Sequence, residues 1–345
     1  MKKTPRYSVI LGNLGNTCDR FLPTGYKTVL PKEEMIAAAA AIPGISGLEL
    51  VGTWDITGYN VREMKRQLGR HGLTCVSIIP DLFSQKRWGQ GSISALDSAT
   101  RRAAVAEIRI VCDLARKMNC GLINLWFGQD GYDYPLQADY RRQRGWMVEN
   151  IGRLAQQHPD LRFALEYKPK EPRTHSFQAR AADTLLMAQE TGCANVGVCI
   201  DAGHALMAGE NMAEAAVILQ HYGHKLFHLH FNDNYRTWDD DMIVGSLHFV
   251  EYLELLFWLR ETGYAGWYSM DQYPYREDGA AAVRESVDFL RGVEALLTPA
   301  NLSAMRRLVA EGDATRSTRF VRELILPATV VGTARKKLRS RPGPS

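Results

Sequence analysis

RFALEYKPKEPRTHSFQARAADTLLMAQETGCANVGVCIDAGH, residues 162–204, is the stretch whose reading decides the fold. A short apolar run closes on Glu166, and Pro169 and Pro172 then stop it, since proline cannot donate to a strand ladder. Ala179–Glu190 reads as a helix and ends at Gly192, the residue type that most readily takes the left-handed turn after a helix. A second apolar run, VGVCID, closes on Asp201. Strand, helix, strand, with an acid at the end of each strand, is one parallel crossover unit.

The same alternation extends in both directions. Strands are expected at Tyr7–Leu11, Leu48–Val51, Cys75–Ile79, Leu122–Phe127, Phe163–Glu166, Val196–Asp201, Phe227–Phe231 and Trp267–Asp271. Helices are expected at Lys32–Ala41, Val61–His71, Ala99–Met118, Arg141–Gln157, Ala179–Glu190, Ala213–Tyr222, Phe249–Thr262 and Ala280–Leu297, with Gly72 and Gly263 closing two of them. Eight strand–helix units in 345 residues point to α/β architecture, a single (β/α)8 TIM barrel over residues 1–297 with a C-terminal helical extension and basic tail over 298–345. The rival, an open doubly wound sheet, normally carries a glycine-rich phosphate loop after its first strand. Here that region reads GNLGNTCDRF, with Gly12 and Gly15 but no third glycine in place, so no nicotinamide is expected. Ser303–Leu326 is amphipathic and charged, suited to pack on its own barrel or on a neighbouring subunit.

Composition excludes several classes. Apolar residues make up 46% and charged residues 23%, the balance of a soluble globular protein. Part of the net charge of +4 comes from Arg335, Lys336, Lys337, Arg339 and Arg341, so the body is nearly neutral and neither nucleic acid nor membrane is an expected partner. Lys2 and Lys3 precede only the short run YSVIL, and no apolar run approaches the ~20 residues of a membrane span, so neither signal peptide nor span is expected. Cys18, Cys75, Cys112, Cys120, Cys193 and Cys199 are scattered without close pairs, the pattern of reduced thiols in a cytoplasmic protein.

In a parallel barrel the strand C-termini open on one face, so Glu166, Asp201, His230 and Asp271, at the ends of strands five to eight, converge. Three carboxylates and an imidazole at one point repel unless a cation sits among them, and a divalent ion is the obvious candidate. Lys168 lies two residues from Glu166 and shares its side of the strand, as a buried ion pair or as a functional pair. Asp201 and His204 are three apart across a sharp turn at Gly203; Asp201 is either a ligand or the cap of a following helix. In LFHLHFNDN, His230 is nearer the strand end and is the expected ligand, with His228 behind it. Asp239, Asp240 and Asp241 form a run that is usually a solvated loop; following a candidate ligand, Asp239 and Asp241 can hold a second cation. After strand four, Trp126 offers a surface for the C–H face of a sugar and Asp130 an acceptor for its hydroxyls, whereas Phe127 reads as core. Glu49 and Trp54, with Asp81 and Asn13, are weaker substrate-binding candidates at the mouths of strands one to three.

The segments EYKPKEPR, DAGHALMAG, LFHLHFND, DDDMIVGS and SMD, in this order, resemble the xylose isomerase-like barrel enzymes, and EYKP and DDDMIVGS look particularly like L-rhamnose isomerase. The resemblance runs from the second half of strand four through strand eight and is thin over the first hundred residues. It implies one metal site of Glu166, Asp201, His230 and Asp271 and a second of Asp201 (bridging), His204, Asp239 and Asp241. It further implies catalytic roles for Lys168, His204, Asp239 and Asp241, with one or two divalent cations per chain, Mn2+ or else Mg2+ or Co2+. The implied reaction is aldose–ketose isomerisation of an open-chain sugar by a 1,2-hydride shift, in a homo-oligomer. The histidine that xylose isomerases place near strand two or three has no clear counterpart here. The alternative is a one-metal epimerase, or a 3-keto-glycoside (C-glycoside) lyase subunit with a small partner subunit, working through an enediolate. The epimerases of that group finish with a glutamate on strand eight, where this chain has Asp271. A third reading, a non-catalytic sugar-binding barrel, leaves a full set of buried acids without a use, and burying acids is costly.

Overall fold

A computed structural model describes residues 5–18 and 21–326. Eight parallel strands close into a barrel in which each pairs with its neighbours in sequence and the last returns to the first. They are β1 (Arg6–Ile10), β2 (Ile45–Val51), β3 (Thr74–Ile79), β4 (Leu122–Trp126), β5 (Arg162–Glu166), β6 (Val196–Asp201), β7 (Leu226–Phe231) and β8 (Trp267–Met270). Around them lie α1 (Lys32–Ala40), α2 (Val61–Arg70), α3 (Ser98–Met118), α4 (Tyr140–Gln157), α5 (Ala181–Glu190), α6 (Ala202–Met207), α7 (Met212–His221), α8 (Phe249–Glu261) and α9 (Gly279–Leu296). Two further helices follow, α10 (Pro299–Glu311) and α11 (Ala314–Ile325). The expected TIM barrel is the observed fold.

The departures from the expected elements are small and have local causes. β2 begins at Ile45, earlier than expected, because Ser46 and Gly47 carry no apolar signal. β8 ends at Met270, yet the Asp271 N–H still donates to the Phe231 carbonyl (3.1 Å), so Asp271 keeps its place at the strand mouth. The turn expected after Asp201 is a short helix, α6, whose N-terminus Asp201 caps by accepting from the His204 N–H (2.8 Å). The cap and the convergent acid are one residue.

Outward-facing side chains such as Val9, Leu50, Ile78, Phe163, Val198 and Leu229 are buried under the helices in one large core. Each such side chain contributes about 1.5–3 kcal/mol. The inward-facing side chains stack in layers. The floor holds Leu122 and Phe227 against Ala164 and Cys199. The middle layer is polar: Ser8, Glu49, Ser77, Asn124, His228 and Ser269 are all fully buried. The upper layer divides in two, with Ile10, Val51 and Ile79 packed together on the β1–β3 side and Glu166, Asp201 and His230 on the β5–β7 side.

α10 packs on its own barrel, burying Leu302 and pairing both guanidinium arms of Arg306 with Glu261 of α8 (2.7 Å each). α11 follows a left-handed Gly312 (φ 65°), and the basic tail from Arg335 lies outside the described residues. Among the described residues no helix is long and apolar enough to cross a membrane. All six cysteines are free thiols, and Cys75, Cys112, Cys120 and Cys199 are buried.

Candidate metal centre

Glu166, Asp201, His230 and Asp271 each bring one ligand atom to a place where all four lie within 4.8 Å of one another. His230 Nδ1 stands 2.9 Å from Asp271 Oδ2 and 3.5 Å from Glu166 Oε1. A second compact set, Asp201, His204 and Asp239, shares Asp201 with the first. His204 Nε2 lies 3.0 Å from Asp239 Oδ2, and Lys168 Nζ reaches both Asp239 Oδ2 and Glu171 Oε2 at 2.8 Å. Asp241 stands outside that compact set but lines the same cavity, and the Asn232 amide donates to Asp201 Oδ2 (2.9 Å) and more weakly toward Asp241 Oδ1 (3.4 Å).

The surrounding shell orients these groups. Glu49, on β2, accepts from His228 Nε2 (2.7 Å) and from the hydroxyls of Ser77 and Ser269, and meets His230 Nε2 at 3.3 Å. With Nε2 engaged below, His230 presents Nδ1 to the acids above. Asn124 donates to Glu166 Oε2 (2.5 Å). The Asn232 amide also donates to the Asp271 carbonyl (2.8 Å), tying β7 to β8, while the Tyr252 hydroxyl donates to the Asn232 carbonyl. Gly203 admits this arrangement, since a Cβ there would lie 2.1 Å from Asn232 Oδ1. Asp233 takes the His248 imidazole (2.6 Å) and the Leu247 N–H (2.9 Å), pinning the loop that carries Asp239 and Asp241.

Five carboxylates, of which Glu166, Asp201 and Asp239 are buried and Asp241 and Asp271 half-buried, therefore share one place with Lys168, His204 and His230. Burial, with Asp239, Asp271 and Glu166 nearby, pushes Asp201 up to about 7. Burial and the same crowding raise Asp241 and Asp271. Asp239 goes the other way: burial would raise it, but Lys168 and His204 hold it below the usual carboxylate range. Burial opposes charge on His204 as well, yet Asp201 and Asp239 bring it up to about 9. The cluster carries more negative charge than its own bases neutralise, so protons collect on it. Three buried atoms, His230 Nδ1, His204 Nδ1 and Asp239 Oδ1, make no hydrogen bond although carboxylates or bases stand beside them. Orphaned imidazole nitrogens facing carboxylate oxygens are what a shared cation satisfies, and carboxylates with imidazole suit a hard or borderline divalent ion. The residues present fit such ions.

Comparison with known proteins bears on the family and the fold. The xylose isomerase-like TIM barrel family matches residues 36–293, most of the chain. The chain belongs to that family. It is 27% identical over 229 residues to the xylose isomerase of Thermus thermophilus, covering 65% of this chain and 59% of that protein. To the xylose isomerase of Dinoroseobacter shibae it is 28% identical over 177 residues, covering 48% and 40%. The chain thus spans less than two thirds of the length of these xylose isomerases. Among solved structures it is similar to an L-ribulose 3-epimerase (TM-score 0.66, 16% identity, covering 90% of this chain and 99% of that one). It is also similar to a D-tagatose 3-epimerase-like protein (TM-score 0.65, 18% identity, covering 85% and 100%). At these identities the structures speak for the fold alone.

In this member of the family a cavity of about 580 Å³ opens at the barrel mouth, lined by Glu166, Lys168, His204, Asp239, Asp241 and Asp271 on one side. Trp54, Phe83 and Trp126 form an aromatic wall, with Phe83 packed on Trp126 (ring centroids 4.7 Å apart) and Trp54 edge-on to Phe83 (5.4 Å). Trp126 Nε1 is buried and makes no hydrogen bond. Four expected substrate contacts are placed elsewhere. Asp130 is buried away from the cavity, its carboxylate taken up by the N–H groups of Ser92 (3.0 Å) and Ser94 (2.7 Å) and the Ser92 hydroxyl, so it holds a loop rather than a sugar hydroxyl. Glu49 lies one layer below the cavity, occupied by two histidines and two serines. Asp81 likewise binds the Ser84 N–H (3.0 Å) and Gln85 (3.0 Å), and Asn13 accepts from the Gln272 N–H (2.7 Å). Phe127 is buried in the core, as read from its sequence. The sequence reading missed Asn232, Asn124 and Phe83. Asn124 sits two residues before Trp126 and Asn232 two after His230, so strand alternation alone would have placed both inside the barrel.

Proposed function

We propose that this chain is a divalent-metal-dependent sugar isomerase that interconverts an aldose and its ketose in the open-chain form. The observation that carries this reading is the pair of compact ligand sets sharing Asp201 at one end of a cavity walled by aromatic rings. Its relatedness to xylose isomerases supports it. Glu166, Asp201, His230 and Asp271 would hold one cation, and Asp201, His204 and Asp239, with Asp241 close by, a second; Mn2+, Mg2+ and Co2+ suit these ligands. Such ions, when bound, polarise vicinal sugar oxygens.

The chain's own groups supply the rest. The hydride moves from C2 to C1 while the O2 proton leaves and O1 gains one, so C2 is oxidised, C1 is reduced and no external oxidant enters. Asp241 accepts the O2 proton and returns it to O1, while Asp239, held ionised by Lys168 and His204, keeps the neighbouring Lys168 charged. Lys168, held charged against burial by Asp239, Glu171 and Asp241, places positive charge in the cavity where O1 becomes negative. Trp54, Phe83 and Trp126 exclude water and receive the C–H face of the sugar, and Trp126 Nε1 is free to donate to a hydroxyl.

One observation favours a second reading. Asp241 stands outside the compact second set, so a one-metal epimerase or 3-keto-glycoside lyase could work from the first set alone through an enediolate. Incubation with a panel of aldoses, ketoses and 3-keto-glycosides in D2O with Mn2+, read by NMR, separates the two. The isomerase transfers the C2 hydrogen to C1 without uptake of deuterium. Deuterium at the reacting carbon, or a C3 epimer in place of the ketose, overturns the proposal.

A further inference from the structure

The opposite end of the barrel carries a pocket that the reaction at the mouth does not use. It has a volume of about 490 Å³ and is lined by Arg6, Arg162, His224 and His228 with Phe227 and Trp267. Among the described residues that line it there is no carboxylate, and neither arginine forms an ion pair among the described residues. Each guanidinium instead lies on a ring: Arg6 is 4.4 Å from the Trp267 centroid and Arg162 is 3.9 Å from that of Phe227. Stacking immobilises the guanidinium plane and leaves its N–H edge for a planar or tetrahedral oxyanion.

The floor is shaped for these rings. A Cβ on Gly197 would lie 2.5 Å from Phe227 Cγ, and one on Gly47 would lie 2.9 Å from Trp267 Cζ3. A register shift between β6 and β7 beside Phe227 turns that ring into the barrel. β1 and β5 stand four places apart in the eight-strand ring, so Arg6 and Arg162 address the pocket from opposite sides. His228, fully buried, forms the roof.

From these placements we infer that the barrel floor is a binding site for a phosphate group, carried by free phosphate or by a small phosphate monoester, gripped between Arg6 and Arg162. The inference does not depend on the reaction proposed for the mouth. Calorimetric titration of the full, metal-loaded chain with inorganic phosphate and with glucose 6-phosphate tests it. Saturable binding of at least one probe is expected, weakened about tenfold or more by R6Q or R162Q alone, as for loss of a charged hydrogen bond. Binding is expected to be lost in the double variant and retained in D241N, which alters the mouth only. R162K keeps the charge without the planar fork and should still weaken binding; it serves if the glutamine variants fold poorly. Tighter binding of the ester than of phosphate identifies the monoester as the source, and equal binding identifies the free anion. Absence of saturable binding by either probe, or binding that survives R6Q/R162Q, overturns the inference.

Discussion

Glu49 Oε2 lies 3.3 Å from His230 Nε2, one layer below the cavity, and this contact turns the other imidazole nitrogen toward Glu166 and Asp271. A carboxylate behind a ligating imidazole fixes its orientation and raises its basicity. Glu49→Gln keeps the shape but removes the charge. It should weaken Mn2+ binding by roughly 10–100-fold, measured by calorimetry, with the far-ultraviolet circular dichroism unchanged. Undiminished affinity would remove Glu49 from the account.

Lys168 is expected to act on the developing charge rather than on sugar affinity. Lys168→Met should lower kcat by about 10²–10³-fold with a smaller change in KM, the pattern of a group that stabilises mainly the transition state. Steady-state kinetics on whichever aldose proves to be turned over decides it, and a change confined to KM would assign Lys168 to binding.

Removal of the cations should leave a protein whose stability falls as pH rises. In the metal-free chain Asp201 is pushed up to about 7 from an ordinary 3.8, so the folded state keeps a proton that the unfolded chain has already released. That contribution is complete below 3.8 and is lost as pH climbs through about 7. Asp241 and Asp271 shift in the same direction. Thermal midpoints of chelated protein should therefore fall between about pH 5 and about pH 8, and bound Mn2+ should flatten the curve. Parallel curves with and without metal would contradict this.

Trp126 and Asp130 should part company when mutated. Trp126→Phe keeps the apolar wall but removes the indole N–H, which is buried without a partner, and should raise KM about tenfold at nearly constant kcat if a sugar hydroxyl is its acceptor. Asp130→Ala releases the N–H groups of Ser92 and Ser94 and should cost about 1–3 kcal/mol of stability while KM holds. Kinetics paired with thermal melts read both, and a large KM effect for Asp130→Ala would return it to the cavity.

The barrel was legible in the sequence because parallel strands buried on both faces read as near-continuous apolar runs between helical segments. The residues at the strand ends were legible because each acid or imidazole interrupts such a run at the same relative position, as at Glu166 and Asp201. Side chains that act through a contact across the barrel were not. Glu49 lies 28 residues from Ser77 and 179 from His228, and no local pattern announces that the three meet. Asp130 misled for the converse reason: an acid in a glycine-rich turn near a candidate aromatic looks available until the loop of Ser92 and Ser94 is seen folded onto it. The two arginines on the floor were unremarkable on the chain, each opening a strand like an ordinary solvated residue. Only barrel closure brings them to one pocket.

The acids and imidazoles at the ends of β5–β8 are proposed to hold cations. Metal analysis of purified protein, before and after chelation and with activity followed throughout, tests this most directly. About two divalent ions per chain, activity abolished by the chelator and restored by Mn2+, and one ion retained in Asp241→Asn without turnover are the predicted results. Full activity in chelated, metal-free protein would contradict it.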